Sequence, residues 1–158
     1  MVYTGFLEKI DATDDELAAM LGHEIAHALR EHGRERMSTS FIQQVGLIGF
    51  AAYLAKQDGN RVTKETALQA AALGATLFFA LPNSREQERE ADKIGVELAA
   101  RAGYNPMAAV SLWRKMDALS KVKIPEFLST HPSNDNRIED ISKDAQKVKY
   151  LYLENKKK

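Results

Sequence analysis

Apolar residues recur with a helical period along most of the chain, and this pattern predicts a mostly α protein. Residues 17–29 have apolar side chains three and four positions apart, and residues 11–16 before them supply capping residues and acidic residues that suit the first turn of a helix. Residues 85–102, residues 105–119 and the segment from Ile138 onward show the same helical spacing. Residues 2–6, which are rich in β-branched and aromatic side chains, instead predict a short N-terminal strand.

Residues 41–56 and 66–81 differ from the other helical segments, because they are apolar nearly all round. A turn at residues 57–60 separates them, so together they predict a helical hairpin at about 41–81. A hairpin of this kind must be covered, because its surface has no polar side to face water. Each apolar run is shorter than the roughly 20 residues that span a bilayer. We therefore predict that the domain core covers the hairpin, with a partner subunit or a membrane surface as the alternatives.

Glycine and proline predict where several helices end. Gly33 and Gly103 are expected just after helix C-termini. Pro82 is expected to end the second helix of the hairpin, and Ser84 to begin a capping box that opens the next helix. His32 is expected to be an exposed residue at a helix end.

Length, charge and the lack of cysteine narrow the class of protein. A chain of 158 residues predicts one domain, covering residues 1–158 with the hairpin as an insertion. Its 22 basic and 22 acidic residues give a net charge of zero, which argues against a nucleic-acid partner. Because there is no cysteine, any metal site must be built from histidine and carboxylate.

The first helix carries an H-E-x-x-H signature at residues 23–27. His23 and His27 are four residues apart and therefore share one face of the helix, where both rings can reach one zinc ion. Glu24, between them, could hold a water at that ion. A short motif also occurs by chance on solvated helices, so the hypothesis needs a third ligand elsewhere in the chain.

The helix after Ser84 offers that ligand. Glu88 and Asp92 lie one turn apart on a stripe that continues through Gly95 and Ala99, two small residues that suit close helix packing. We predict Glu88 as the third zinc ligand and Asp92 as the acceptor that orients a ligand histidine, His23 in the first instance. A third histidine in the H-E-x-x-H-x-x-G-x-x-H manner is excluded, because positions 30 and 33 hold arginine and glycine.

Several motifs in this order resemble the gluzincin metalloproteases of the HtpX, LoiP and BepA type. They are residues 2–5, 21–27, 84–92, 102–106 and 130–133, with Arg137 following. The resemblance covers essentially the whole chain and implies a zincin-like metalloprotease catalytic core. It implies one Zn²⁺ per chain, held by His23, His27 and Glu88, with Glu24 as the catalytic base. Members of this family act in protein quality control at bacterial envelopes or organelle membranes, which leads us to expect a bacterial cell envelope or periplasm.

The predicted reaction is hydrolysis of peptide bonds in misfolded or envelope proteins by a metal-activated water. Glu24 takes the water proton and passes it to the leaving amine. The oxyanion needs a further donor, for which His131 is the first candidate, with Tyr104 and Arg137 as weaker ones. For Arg137 an ion pair with Asp92 is an equal alternative, and Trp113 is expected in the core. Residues that bind the substrate are not assigned.

The resemblance also predicts how this chain departs from its relatives. Relatives usually carry an N-terminal segment with further strands and a signal peptide or membrane helices, so the chain looks like a trimmed or minimal form. A substrate-binding edge would then be incomplete, and a proteolytically weak or latent, zinc-stabilised, chaperone-like module is the alternative function. His131 would in that case block the metal rather than assist. The expected partners are a polypeptide substrate, a membrane surface through the 41–81 hairpin, and a second copy of the chain.

Overall fold

The computed structural model describes residues 10–120 and 136–156, and this part of the chain is almost entirely helical. Its helices are α1 (Asp14–Leu29), α2 (His32–Ala55), α3 (Arg61–Ala75), α4 (Leu81–Arg101), α5 (Ala108–Ser120) and α6 (Arg137–Asn155), and a π-helical segment, Thr76–Ala80, joins α3 to α4. The prediction of a mostly α protein is confirmed. Neither described range contains a strand, and the strand predicted at residues 2–6 lies outside them.

The helices belong to two compact units. One unit consists of Met1–Arg30 and Arg85–Lys158, and the other of Glu31–Ser84. The first unit therefore contains α1, α5, α6 and most of α4, and the second contains the hairpin of α2 and α3. The assignment of residues 1–158 to one catalytic domain with a hairpin insertion stays a prediction.

A buried polar network ties the start of α1 to α5. Thr13 caps α1, and a reciprocal capping box links its hydroxyl and backbone N–H to Glu16. The Glu16 carboxylate also accepts hydrogen bonds from the Ser111 hydroxyl at 2.6 Å and from the Lys115 ammonium at 2.7 Å. Burial raises the pKa of Glu16, but these hydrogen bonds outweigh burial, so that its pKa lies below the usual range. Glu16 is thus held ionised where it joins the two helices.

The core of the first unit lies between α1, α4, α5 and α6. Its buried apolar members come from all four helices and include Met20, Val96, Leu112, Met116 and Ile141. Trp113 also belongs to this core, as predicted. The core fixes the positions of α1, α4 and α6, the three helices that carry the polar residues described below.

A pair of glycines brings α1 and α4 into backbone contact. A Cβ atom added at Gly22 would lie 2.5 Å from the Gly95 carbonyl oxygen, and one added at Gly95 would lie 2.7 Å from the His23 nitrogen. Both distances are too short for any side chain to fit. Gly95 is seven residues, or about two turns, from Glu88, and therefore lies on the same side of α4. The expectation that Gly95 suits close helix packing is confirmed, and its partner is Gly22.

Replacing Gly95 by alanine should force these helices apart. We expect the free energy of unfolding to fall by roughly 1–3 kcal/mol or more, as for overpacked cores. Urea unfolding measures this loss. The matched control is Gly74→Ala, because Gly74 lies within α3 with nothing near its missing side chain, so alanine there should stabilise the helix by roughly 0.5–1 kcal/mol. Equal stability of the two variants would contradict a structural need for the glycine contact.

The first helix ends differently from the prediction. It stops at Leu29, and Glu31 adopts the left-handed conformation with φ 54° that was expected of Gly33. A new helix begins immediately at His32, which is buried rather than exposed. At the end of α4 the prediction is confirmed, because Gly103 has a φ of 87° there and its N–H bonds to the carbonyl of Ala100.

Pro82 does not end a helix, contrary to the prediction, and Ser84 does not start one. The chain continues in helical conformation from Thr76 through Leu81 into α4. A proline within a helix lacks a donor and clashes with the carbonyl four residues earlier. The π-helical turn of residues 76–80 lies directly before Pro82, and such a wider turn relaxes this conflict.

The prediction that the core covers the hairpin is wrong. None of the α3 residues is buried, and in α2 only His32 is. Hydrophobic periodicity does not say what a helix packs against, and here large apolar side chains face outward. Within the described ranges, no helix combines the length and the hydropathy needed to cross a membrane.

Candidate metal centre

Three predicted ligand residues converge in the first unit. His23 and His27 project from α1 and Glu88 from α4, and one ligand atom from each lies within 4.8 Å of the others. The two Nε2 atoms are 3.1 Å apart. Glu88 Oε2 lies 3.4 Å from Nε2 of His23, and Glu88 Oε1 lies 3.3 Å from Nε2 of His27. His23 and Glu88 are buried and His27 is half-buried.

These separations fit a tetrahedral metal ion. Zinc binds imidazole nitrogen and carboxylate oxygen at about 2.0–2.2 Å, so two ligand atoms at tetrahedral positions lie about 3.3–3.6 Å apart. The observed separations of 3.1, 3.4 and 3.3 Å are close to that range. Imidazole and carboxylate are also donors that zinc accepts, and three protein ligands leave a fourth position for water or substrate. The residues present therefore fit the metal that the sequence predicts.

Asp92 fixes the orientation of His23. Its Oδ1 lies 2.9 Å from His23 Nδ1, so the carboxylate pairs with that nitrogen while Nε2 faces His27 and Glu88. Burial lowers the pKa of His23, but the hydrogen bonds with Asp92 and Glu88 outweigh it, and the pKa of His23 is raised overall. Acceptor atoms this close are mutually repulsive unless a cation or a proton lies among them.

Arg137, the first residue of α6, binds both carboxylates. It donates from Nε to Asp92 Oδ2 at 2.7 Å, and from Nη2 to Asp92 Oδ1 at 2.8 Å and to Glu88 Oε2 at 3.1 Å. The side chain is buried, so these are charge-assisted bonds away from water. Of the two alternatives weighed for Arg137, the structure shows the ion pair with Asp92.

Trp113 is a contact of the site that sequence reasoning assigned only to the core. The Arg137 guanidinium lies 3.5 Å from the centre of the Trp113 ring, as a cation–π contact. The same ring meets His23 edge-on, with 6.1 Å between ring centres. The sequence gives no signal for the contact between Trp113 and Arg137, because Arg137 belongs to a different helix and follows 24 positions later.

Of the other residues predicted for the site, Glu24 and Tyr104 lie within the described ranges. Glu24 is half-buried on α1, next to His23, and Tyr104 is 40% exposed beyond the end of α4. His131 lies outside the described residues. Glu86 is exposed, whereas Glu90 is partly covered and pairs with Arg30 at 2.6 Å.

Comparison with known proteins shows which family the chain belongs to. A buried His–His–Glu cluster with an orienting aspartate, on a helical framework, defines a candidate metallopeptidase centre. Residues 1–145 match Peptidase family M48, and the chain belongs to this family. The resemblance predicted from the motifs is therefore confirmed at the level of the family. No solved structure matches the chain.

Several curated proteins are similar to the chain. Mitochondrial metalloendopeptidase OMA1 of Saccharomyces cerevisiae is 36% identical over 149 residues, which are 90% of this chain and 40% of that protein. The human mitochondrial metalloendopeptidase OMA1 is 36% identical over 151 residues, 90% of this chain and 28% of that protein. The beta-barrel assembly-enhancing protease of Yersinia pestis is 29% identical over 143 residues, 86% of this chain and 28% of that protein. The chain thus spans well under half the length of these relatives.

The comparisons correct the expected location. The relatives that match at 36% identity in yeast, cattle and human are mitochondrial proteins by name, so the expectation of a bacterial cell envelope or periplasm is wrong. That expectation came from the type of relative that the motifs resemble, and the motifs of a catalytic site do not encode a compartment.

Proposed function

We propose that this chain is the catalytic part of a zinc-dependent endopeptidase of the gluzincin type. The observation that carries the proposal is the convergence of His23, His27 and Glu88 at separations suited to zinc, with Asp92 orienting His23. His23, His27 and Glu88 would hold the ion, and Zn²⁺ bound there would polarise the scissile carbonyl and lower the pKa of a water. The substrate class is polypeptide, as the names of the relatives suggest for those proteins.

Within this proposal Glu24 moves the proton. Glu24 directly follows His23 on α1. A carboxylate at this position of an H-E-x-x-H helix is placed to act as a general base. One carboxylate oxygen takes the proton of the attacking water and returns it to the leaving amine. His131 is the proposed donor to the oxyanion. Arg137 is not given that task, because its Nε and Nη2 donors already bind Asp92 and Glu88.

Arg137 and Asp92 act on the ligands instead. Glu88 and Asp92 together carry two negative charges, and Arg137 supplies one positive charge, which leaves an excess of one negative charge for a divalent cation. The paired bonds of the guanidinium restrict rotation of both carboxylates. The role proposed for Arg137 and Asp92 is to hold Glu88 and His23 in the ligating orientation before an ion arrives.

Removal of the metal tests the proposed function. We expect the purified chain to contain one zinc per molecule and to cleave casein, an unfolded polypeptide. Treatment with 1,10-phenanthroline should abolish cleavage, and added Zn²⁺ should restore it, because the chelator removes the ion that the three ligands hold. The inert isomer 1,7-phenanthroline, which does not chelate, is the matched control.

Three outcomes distinguish the proposed peptidase from the alternative functions. Cleavage that survives the chelator contradicts the metallopeptidase. One bound zinc without any cleavage favours the alternative, a latent chaperone-like module stabilised by zinc. Cleavage that follows the zinc content supports the peptidase proposed above.

A further inference from the structure

Trp113 lies on α5, where its ring contacts side chains of two other helices. The side chain is buried, with 7% of its surface exposed. The Arg137 guanidinium of α6 stacks over one face of the ring, with its carbon 3.5 Å from the ring centre. The His23 ring of α1 lies at 75° to the Trp113 ring, with 6.1 Å between the ring centres. A single side chain thus contacts both a predicted ligand and the arginine that binds the carboxylates.

Trp113 and the two carboxylates hold Arg137 in different directions. A guanidinium is planar, and its N–H donors all lie in that plane. The hydrogen bonds to Glu88 and Asp92 therefore fix the edge of the guanidinium, but they restrain its tilt about that edge less well. The indole ring stacks on the face of the guanidinium and opposes this tilt, and its electron-rich face attracts the cation. Together these contacts keep Arg137 where it can bind both carboxylates.

A small cavity adjoins Trp113 on the side of the core. Its volume is about 10 Å³, and His23, Asp92, Trp113, Met116 and Ile141 are among the residues that line it. This volume is at the lower limit for one water molecule. A smaller side chain in place of the indole would enlarge the cavity beside the contact between His23 and Asp92, and water admitted there would compete for these polar groups. The bulk of Trp113 therefore excludes water from this contact.

We propose that Trp113 is a positioning residue of the metal centre, which holds Arg137 against the two carboxylates and keeps water from the contact between His23 and Asp92. This role rests on the proposed function, because it concerns the ion that the three predicted ligands would hold. A tryptophan that only fills the core would contribute to stability alone. A positioning tryptophan also raises the affinity for zinc, because ligands already held in the binding orientation lose less freedom when the ion arrives.

The zinc affinity and stability of three variants test this role. Trp113→Leu removes the aromatic face, Trp113→Phe keeps one, and Val110→Ala removes volume from the same core on the same helix. Competition with a chromophoric chelator measures zinc affinity, and urea unfolding measures stability. We expect Trp113→Leu to weaken zinc binding about 10–100-fold and Trp113→Phe to weaken it less. Val110→Ala should unfold more readily and bind zinc as the unaltered chain does.

Arg137→Gln shows whether Trp113 acts through Arg137. This change removes the cation, so the indole no longer stacks on a guanidinium. We expect Trp113→Leu to weaken zinc binding by a distinctly smaller factor in the Arg137→Gln chain than in the unaltered chain, which a double-mutant cycle measures. The same loss of affinity in both chains would overturn the proposal.

Fluorescence measures the contact without a change to Trp113. The chain contains one tryptophan, so its emission reports on this site alone. Added Zn²⁺ should change the emission of the unaltered chain, whereas Mg²⁺, which prefers oxygen ligands, should leave it unchanged. Unchanged emission at a zinc concentration that saturates the chain in the chelator assay would overturn the proposal.

The outcomes also distinguish this role from the proposed function. An unaltered chain that binds no zinc would contradict the metal centre itself, and the role of Trp113 with it. Zinc binding that is the same in Trp113→Leu and the unaltered chain would overturn only the role of Trp113. Equal losses of affinity in Trp113→Leu and Val110→Ala would do the same, because zinc binding would then follow the stability of the core. If Trp113→Leu does not fold, Trp113→Phe is compared with Val110→Ala in its place.

Discussion

Replacing Glu24 by glutamine should lower casein cleavage between about a hundredfold and ten-thousandfold, the range that general-base catalysis contributes. Glutamine has nearly the size and shape of glutamate, but its amide cannot take the proton of the attacking water. Because Glu24 is not among the three ligand residues, the variant should still bind one zinc per chain. Casein cleavage and the zinc content, measured on the same sample, check both expectations.

The matched control for this experiment lies on α4. Glu86→Gln makes the same chemical change at an exposed position, and it should leave the rate unchanged. Thermal unfolding of both variants would show whether the fold is intact. If the Glu24→Gln variant cleaves casein at the unaltered rate, the general base is another residue. The zinc content of that variant still tests the three ligands.

Replacing Glu88 by alanine should weaken zinc binding by more than about a hundredfold. Loss of an orienting partner costs roughly 10–100-fold in metal affinity, and loss of a ligand should exceed that. The change also removes one of the two carboxylates that Arg137 binds, and Asp92 remains as the other. Competition with a chromophoric zinc chelator measures the affinity directly.

Glu86→Ala and Glu90→Ala are the controls, because they remove a carboxylate from the same helix. Glu86 is exposed, and Glu90 pairs with Arg30 in a partly solvated ion pair, which is worth little. Both variants should bind zinc as the unaltered chain does. Equal affinity in all three variants would show that Glu88 is not a ligand.

The candidate site follows from the sequence because its signals are local. Helical geometry alone places His23 and His27 on one face, and it places Glu88 and Asp92 on one face of another helix. The contacts of Trp113 were missed, since an aromatic residue on an apolar helix face signals burial and does not name its neighbours. The hydrogen bond from Arg137 to Glu88 also depends on tertiary structure, and the sequence did not predict it.

The errors in the fold arise where local and tertiary effects compete. Gly33 was the better residue for a positive φ, but the chain turns at Glu31 and starts α2 directly. Pro82 has the strongest local preference against a helix interior, and the π-helical turn before it allows the helix to continue. The apolar pattern of α2 and α3 predicts helices but does not say what packs against them, so periodicity could not show that their large side chains are exposed.

The position of Arg137 also bears on how the protein is made. Arg137 follows Asp92 by 45 residues and Glu88 by 49, so the ribosome releases both carboxylates well before the arginine that neutralises them. Loops of this length close late, because their ends must find each other through a disordered chain. If the proposed function holds, a nascent chain contains α1, the helix with Glu24, long before it can cleave a peptide bond. Hydrolytic competence would then arise only when α6 docks, so the order of synthesis would delay the activity of the new enzyme.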